Sequence, residues 1–265
     1  MECIKGQLII GDQSSPRRNP DSLGAVLDTK EREYYGQNIM GRILMEICEM
    51  GQLPHSPFKI FVEEPNGNSM QDSDYDGIIQ ACKYIGVDVA DFNLRNDMYI
   101  RPQLSTIHGI GHLYRTMIGC ALLAERLQKP RIGLLAFCGA YIHDLARERD
   151  GEEREHGHNA VKYKFHEFEA LWQKYNLSRL EREWICEAVE QHSVREWMRR
   201  GDAGCDVMAI LKDADALDRC RIGDLDPQML RYQVSEELIT VIERCWYKTQ
   251  DVNTDIEFDA FCKLL

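Results

Sequence analysis

No stretch of the chain stays apolar for the roughly eighteen residues that a membrane-spanning helix needs, so no membrane span is expected. The opening MECIKGQLIIGDQ lacks the long apolar core of a secretory signal, and a cytoplasmic protein is the expectation. There is no C-x-x-C pair: ten cysteines are scattered without regular spacing. Several, such as Cys120, Cys138 and Cys186, fall on apolar helix faces, and all are expected to be reduced thiols rather than a disulfide framework. Positive charge is scarce. Against 44 Asp and Glu stand 32 Lys and Arg, a net charge of -12. Such a surface repels a phosphate backbone, so duplex nucleic acid is not an expected partner. A small anionic substrate in a local basic or metal-bearing pocket remains compatible. Internal repeats, heptads and low-complexity tracts are absent, which excludes solenoids and coiled coils.

What is present is an ordinary globular composition: 44% hydrophobic and 29% charged over 265 residues. That length suits one large domain, or one domain with an appendage. Residues 1–102 have mixed texture. IKGQLII and FKIFVEE suggest short strands, YYGQNIMGRILMEICEM and YDGIIQACKYIG suggest helices, and Pro, Gly, Asn and Asp break the segments between them. No chemical motif lies here, and a mixed α/β appendage or substrate-side cap is expected. From residue 103 to 265 helical spacing takes over. Six helices are predicted over 105–128, 131–149, 156–175, 178–193, 206–223 and 227–249. Ser178 and Glu181 form an S-x-x-E capping box at the start of the fourth. Pro227 stands where a first helical turn tolerates it.

Seven of the eight histidines lie between residues 108 and 192. His108 and His112 are one helical turn apart, with Arg115 continuing the face. His143 and Asp144 are adjacent. His156 and His158 open the third predicted helix, His192 closes the fourth, and Asp213, Asp215 and Asp218 lie on the fifth. Each alone is a common core or surface residue. Imidazole and carboxylate groups converging from several helices can hold a divalent metal, and without one their burial is costly.

Five motifs in order, HGIGHLYRT, AYIHDLAR, EHGHNA, VEQHS and LKDADALDRCRIG, resemble the HD superfamily of metal-dependent phosphohydrolases over about residues 103–245. The resemblance implies a mainly α helical bundle that hydrolyses a phosphate ester or anhydride through metal-activated water. It implies His112, His143, Asp144 and Asp215 as metal ligands, with Asp213 an alternative to Asp215. His156 and His192 are candidates for a second ion bridged by Asp144. One or two divalent ions per chain are expected, from Mn, Fe, Co, Ni, Zn or Mg. Asp144 would also orient water or accept a proton. Some members carry Glu or Lys three residues after that Asp; here Arg147 stands there, too basic for a general acid but suited to clamp a phosphate. Arg115, Lys212 and His108 are further candidates to face the substrate, His158 is expected in solvent, and Asp218 is expected beside the ligands. The expected substrate is a nucleotide or related small phosphorylated metabolite. The sequence carries no signal of oligomeric state. A di-iron oxygenase using the six His and Asp ligands, a non-catalytic nucleotide-binding sensor and a purely structural protein are the other readings.

Overall fold

The computed structural model describes residues 73–101, 105, 107–194 and 203–265, all within one compact unit. The strands expected at IKGQLII and FKIFVEE, the helix expected at YYGQNIMGRILMEICEM and the α/β character of the appendage lie outside the described residues.

The described chain is helical, with ten α-helices and no strand. They are α1 (Ser73–Tyr84), α2 (Ile110–Arg126), α3 (Pro130–Ile142), α4 (His156–Tyr163), α5 (Glu169–Lys174), α6 (Arg179–Gln191), α7 (Ala203–Leu217), α8 (Gln233–Glu237), α9 (Ile239–Thr249) and α10 (Phe258–Cys262). Among the described residues, no helix is long and apolar enough to cross a membrane.

α2 is the axis of the bundle. Every residue from Ile110 to Ala124 is buried, because α1, α3, α7 and α9 pack around it. Gln128 turns the chain with φ of 55°, and Pro130 opens α3 at its first position, where its missing N–H costs nothing. α2 and α7 approach closely at Gly119: a Cβ there would lie 3.0 Å from the Ala214 Cβ. This contact fixes the register between two helices that each carry residues of the site.

Residues 73–101, grouped on sequence with the N-terminal part, pack into the helical core. Phe92 makes edge contacts with Phe137 and Tyr141 at centroid distances of 5.0 and 5.2 Å. The Tyr114 hydroxyl accepts from Leu94 N–H and donates to the Ile256 carbonyl, both at 2.7 Å. One phenol thus ties the segment before α2 to the segment before α10.

The predicted capping box is present: Glu181 N–H donates to Ser178 Oγ at 3.3 Å, and Ser178 N–H donates to the Glu181 carboxylate at 2.8 Å. The α-helices are shorter than the predicted patterns, and three patterns break well inside their bounds. The segment 131–149 stops at Ile142, leaving the His143–Asp144 dipeptide in the tightened turn that follows. The segment 156–175 breaks at Lys164, where burial of Trp172 brings its indole N–H 2.8 Å from the Phe165 carbonyl. The segment 227–249 breaks because buried Asp213 gathers the N–H groups of Arg231 and Tyr232 and the Ser235 hydroxyl, partners that a continuous helix would not present together. Pro227 begins a short 3₁₀ turn, Pro227–Met229, instead of an α-helix.

The eight described cysteines are free thiols, as expected, although Cys186 is only half-buried. Burial pushes the Cys82 thiol up to about 12, which leaves it inert at neutral pH.

Candidate metal centre

Four side chains from three regions meet at the ends of α2, α3 and α7. His112 projects from the first turn of α2. His143 and Asp144 follow α3, and Asp215 comes from the last turn of α7. His112 Nε2 lies 3.2 Å from His143 Nε2, 3.5 Å from Asp144 Oδ2 and 3.4 Å from Asp215 Oδ1. The Asp215 side chain is 24% exposed while the other three are almost fully buried, so the group opens toward solvent at Asp215.

A second group meets the other oxygen of Asp144. Oδ1 has His156 Nε2 at 3.2 Å and His192 Nε2 at 3.6 Å, and the two Nε2 atoms are 2.8 Å apart. His156 opens α4 and His192 caps α6. They meet because Gly157 has no side chain: a Cβ there would lie 2.4 Å from the Val189 carbonyl oxygen. Gly157→Ala is therefore expected to push α4 off the end of α6. The measurable result is loss of metal bound through His156 and His192, with the ligands on α2 and α7 retained, by metal analysis and histidine NMR.

The other nitrogen of each imidazole is already engaged. His112 Nδ1 is 2.7 Å from Asp218 Oδ2. His143 Nδ1 is 2.8 Å from the Ala140 carbonyl, and His192 Nδ1 is 2.7 Å from the Val189 carbonyl. His156 Nδ1 meets the Glu153 carbonyl. These partners accept hydrogen bonds, so each Nδ1 holds the proton and each Nε2 presents a lone pair. Two pairs of Nε2 lone pairs then face each other across the site. Such contacts are repulsive unless a cation or a shared proton lies between them. Asp144 Oδ1 is also buried without a hydrogen-bond partner among the described residues. Bonds of about 2.1 Å meeting near a right angle put two nitrogens on one ion about 3 Å apart, close to what is seen here. The donor set therefore fits divalent metal.

The electrostatics agree. Burial holds His143 down at about 3, so it is neutral and able to ligate. Burial alone would raise the carboxyl of Asp144, but His143, His108, His112 and His156 outweigh it and keep it well below the usual range. Asp215 is lowered in the same way, with burial outweighed by His112, His143 and His192.

The family model described as HD domain matches residues 109–220. The chain carries an HD domain. Comparison with curated proteins and with solved structures gave no match. The match spans the stretch from the residue before α2 to the turn after α7, and so encloses all six His and Asp donors just described.

Around the donors of the HD domain, the other predicted residues divide. Arg147 lies against the His156 ring, with Nη1 3.2 and 3.3 Å from its two nitrogens and 3.9 Å from Asp144 Oδ1. His108 is not on α2 but in the turn before it, yet its Nδ1 reaches Asp144 Oδ2 at 3.1 Å. Lys212 lies one turn before Asp215 and donates to the Val194 carbonyl at 2.8 Å; burial lowers its pKa to about 8. Asp213 is remote from this group, occupied with Arg231, Tyr232 and Ser235. His158 is 56% exposed beside Glu190. Arg115, expected at the phosphate, is turned elsewhere. It is buried with Nε and Nη2 on Asp218 at 2.5 and 3.1 Å and Nη1 on Thr249 at 3.1 Å. Sequence reading placed Asp218 beside the ligands but missed Arg221, which lies 3.5 Å from Asp218 and donates to the Ile107 carbonyl. The i, i+3 spacing of Asp218 and Arg221 was the available signal. Thr249 comes from α9, and nothing local in sequence marks it.

Proposed function

We propose that this chain is a metal-dependent phosphohydrolase that acts on a nucleotide or a related small phosphate ester or anhydride. The carrying observation is the arrangement about Asp144, where the Nε2 atoms of His112 and His143 lie 3.2 Å apart and those of His156 and His192 2.8 Å apart, on either side of one carboxylate. We assign one divalent ion to His112, His143, Asp144 and Asp215, and a second to Asp144, His156 and His192. Bound there, divalent metal lowers the pKa of water toward neutrality and offsets charge on phosphoryl oxygens. Arg147, buried beside Asp144, supplies fixed positive charge toward a phosphoryl group. Lys212 adds to it near Asp215; with a pKa of about 8, it is mostly protonated at neutral pH. Asp144 and His108, 3.1 Å apart, form the pair that orients water and carries its proton away. Arg115 acts indirectly, by holding the Asp218 carboxylate against His112.

The same six donors suit a di-iron oxygenase, and their complete convergence keeps that second reading in view. One experiment separates the two. The protein is loaded with Mn, Ni, Co, Fe or Mg and screened against nucleotides and phosphate esters, with phosphate release, oxygen uptake and bound metal measured. Phosphate release with about two ions per chain is expected. Oxygen uptake only in the iron-loaded protein, without phosphate release, would establish the oxygenase. No phosphate from any compound with any metal would end the hydrolase reading.

A further inference from the structure

Tyr99 belongs to the segment that precedes the HD domain, and no motif marks it. Its backbone runs beside the catalytic dipeptide: Ile100 N–H donates to the Leu145 carbonyl at 2.9 Å. Asp97, Arg95 and the following Arg101 are exposed, but Tyr99 itself is 3% exposed. Its hydroxyl is buried and has no hydrogen-bond partner among the described residues. Burying a phenol oxygen unpaired costs stability. The other buried tyrosines of this region solve the problem: Tyr114 bonds Leu94 and Ile256, and Tyr141 donates to the Asn93 carbonyl. Tyr99 does not. The Asp144 carboxylate is close enough to act on the phenol electrostatically, second only to burial, and both hold it well above its usual pKa. The hydroxyl therefore stays protonated at neutral pH and is a neutral donor.

A buried donor left unpaired in the segment whose backbone pairs with Leu145, the residue after Asp144, is a group whose partner arrives with the substrate. We propose that the Tyr99 hydroxyl is a substrate-contacting residue that donates a hydrogen bond to a phosphoryl oxygen of the substrate. This inference rests on the phosphohydrolase reading. It places the specificity of the site partly outside residues 109–220, in the segment that leads into α2. Tyr99 suits the role because it adds no charge. Arg147 and Lys212 supply cations, whereas a neutral donor orients one oxygen without drawing the phosphate away from the metal.

The test compares the full-length Mn-loaded protein with its Tyr99→Phe variant. p-Nitrophenyl phosphate is the substrate and inorganic phosphate the competing ligand. The variant is expected to bind as much Mn as the parent and to melt at the same temperature or higher, since an unpaired buried polar atom has been removed. KM and the inhibition constant of phosphate are expected to rise about tenfold or more, the loss of one hydrogen bond to a charged group, with a smaller change in kcat. A lower melting temperature overturns the proposal, because it means the hydroxyl holds the fold together. So does an unchanged KM and phosphate affinity in a variant of unchanged stability. If the parent protein neither binds nor releases phosphate, the hydrolase reading itself fails, and the failure is visible before the variant is made.

Discussion

Asp144→Asn is expected to abolish metal-dependent phosphate release while leaving the protein folded. Both carboxylate oxygens take part: Oδ2 faces His108, His112 and His143, and Oδ1 faces His156 and His192. Asparagine has the same shape but carries no charge, and it offers one oxygen instead of two. It can face one group of imidazoles, not both. Partners that merely orient a metal ligand cost about 10- to 100-fold when lost, so loss of the shared ligand itself should cost more than about a hundredfold in phosphate release. Bound metal should fall from about two ions per chain to one or none. Circular dichroism checks folding, and metal analysis checks occupancy. A variant that keeps both its metal and its activity would refute the assignment of Asp144.

Asp218→Ala is expected to have the largest effect on stability. Asp218 is fully buried, and His112, Arg115 and Arg221 all converge on it. Their charges outweigh the effect of burial and hold its carboxyl far below the usual range. Removing it leaves the Arg115 guanidinium charged and buried, with Thr249 as its one remaining hydrogen-bond partner among the described residues. Breaking one side of a buried ion pair costs about 3–5 kcal/mol, because the other charge remains uncompensated. Urea denaturation would show this as a large drop in midpoint. Replacing both partners, as in Arg115→Met with Asp218→Leu, should recover part of the loss, since the Arg115 charge goes with its partner while buried Arg221 keeps only the Ile107 carbonyl as an acceptor among the described residues. Neither variant should restore metal affinity, because His112 Nδ1 has lost the acceptor that fixes its tautomer. The two readouts therefore separate: stability follows the ion pair, and metal binding follows the His112–Asp218 contact.

The order of the motifs was legible in the sequence because ligand chemistry restricts residue types so tightly. His112, the His143–Asp144 dipeptide, His156, His192 and Asp215 are donors spaced along helical patterns, and they stand out against apolar neighbours. Helix ends were less legible. The 131–149 pattern is apolar up to Ile142 and continues in charged residues that a helix would accept, so nothing local stops it. The stop comes from the turn that aims His143 and Asp144 into the site. The split of the last predicted helix has a similar origin, since Asp213 captures backbone N–H groups 18 and 19 residues away.

The choice between Asp213 and Asp215 shows where the division lies. The string KDADALD contains both at equal chemical merit. They are two residues apart on α7 and so face in different directions. Which direction faces the histidines depends on how α7 sits against α2, and that is set by the approach of Gly119 to Ala214. Arg115 is a second case. Its place one turn after His112 suggested a phosphate contact, but Asp218, 103 residues further on, claims its guanidinium. The sequence by itself determined the helical character of the described chain, the donor types and their order, because periodicity and ligand chemistry are local. Only the tertiary structure decided which nitrogen of each imidazole is left to bind, which aspartate faces the site, and that the backbone after Tyr99 pairs with Leu145, next to Asp144. Those facts depend on contacts between residues far apart in the chain, and no local pattern encodes them.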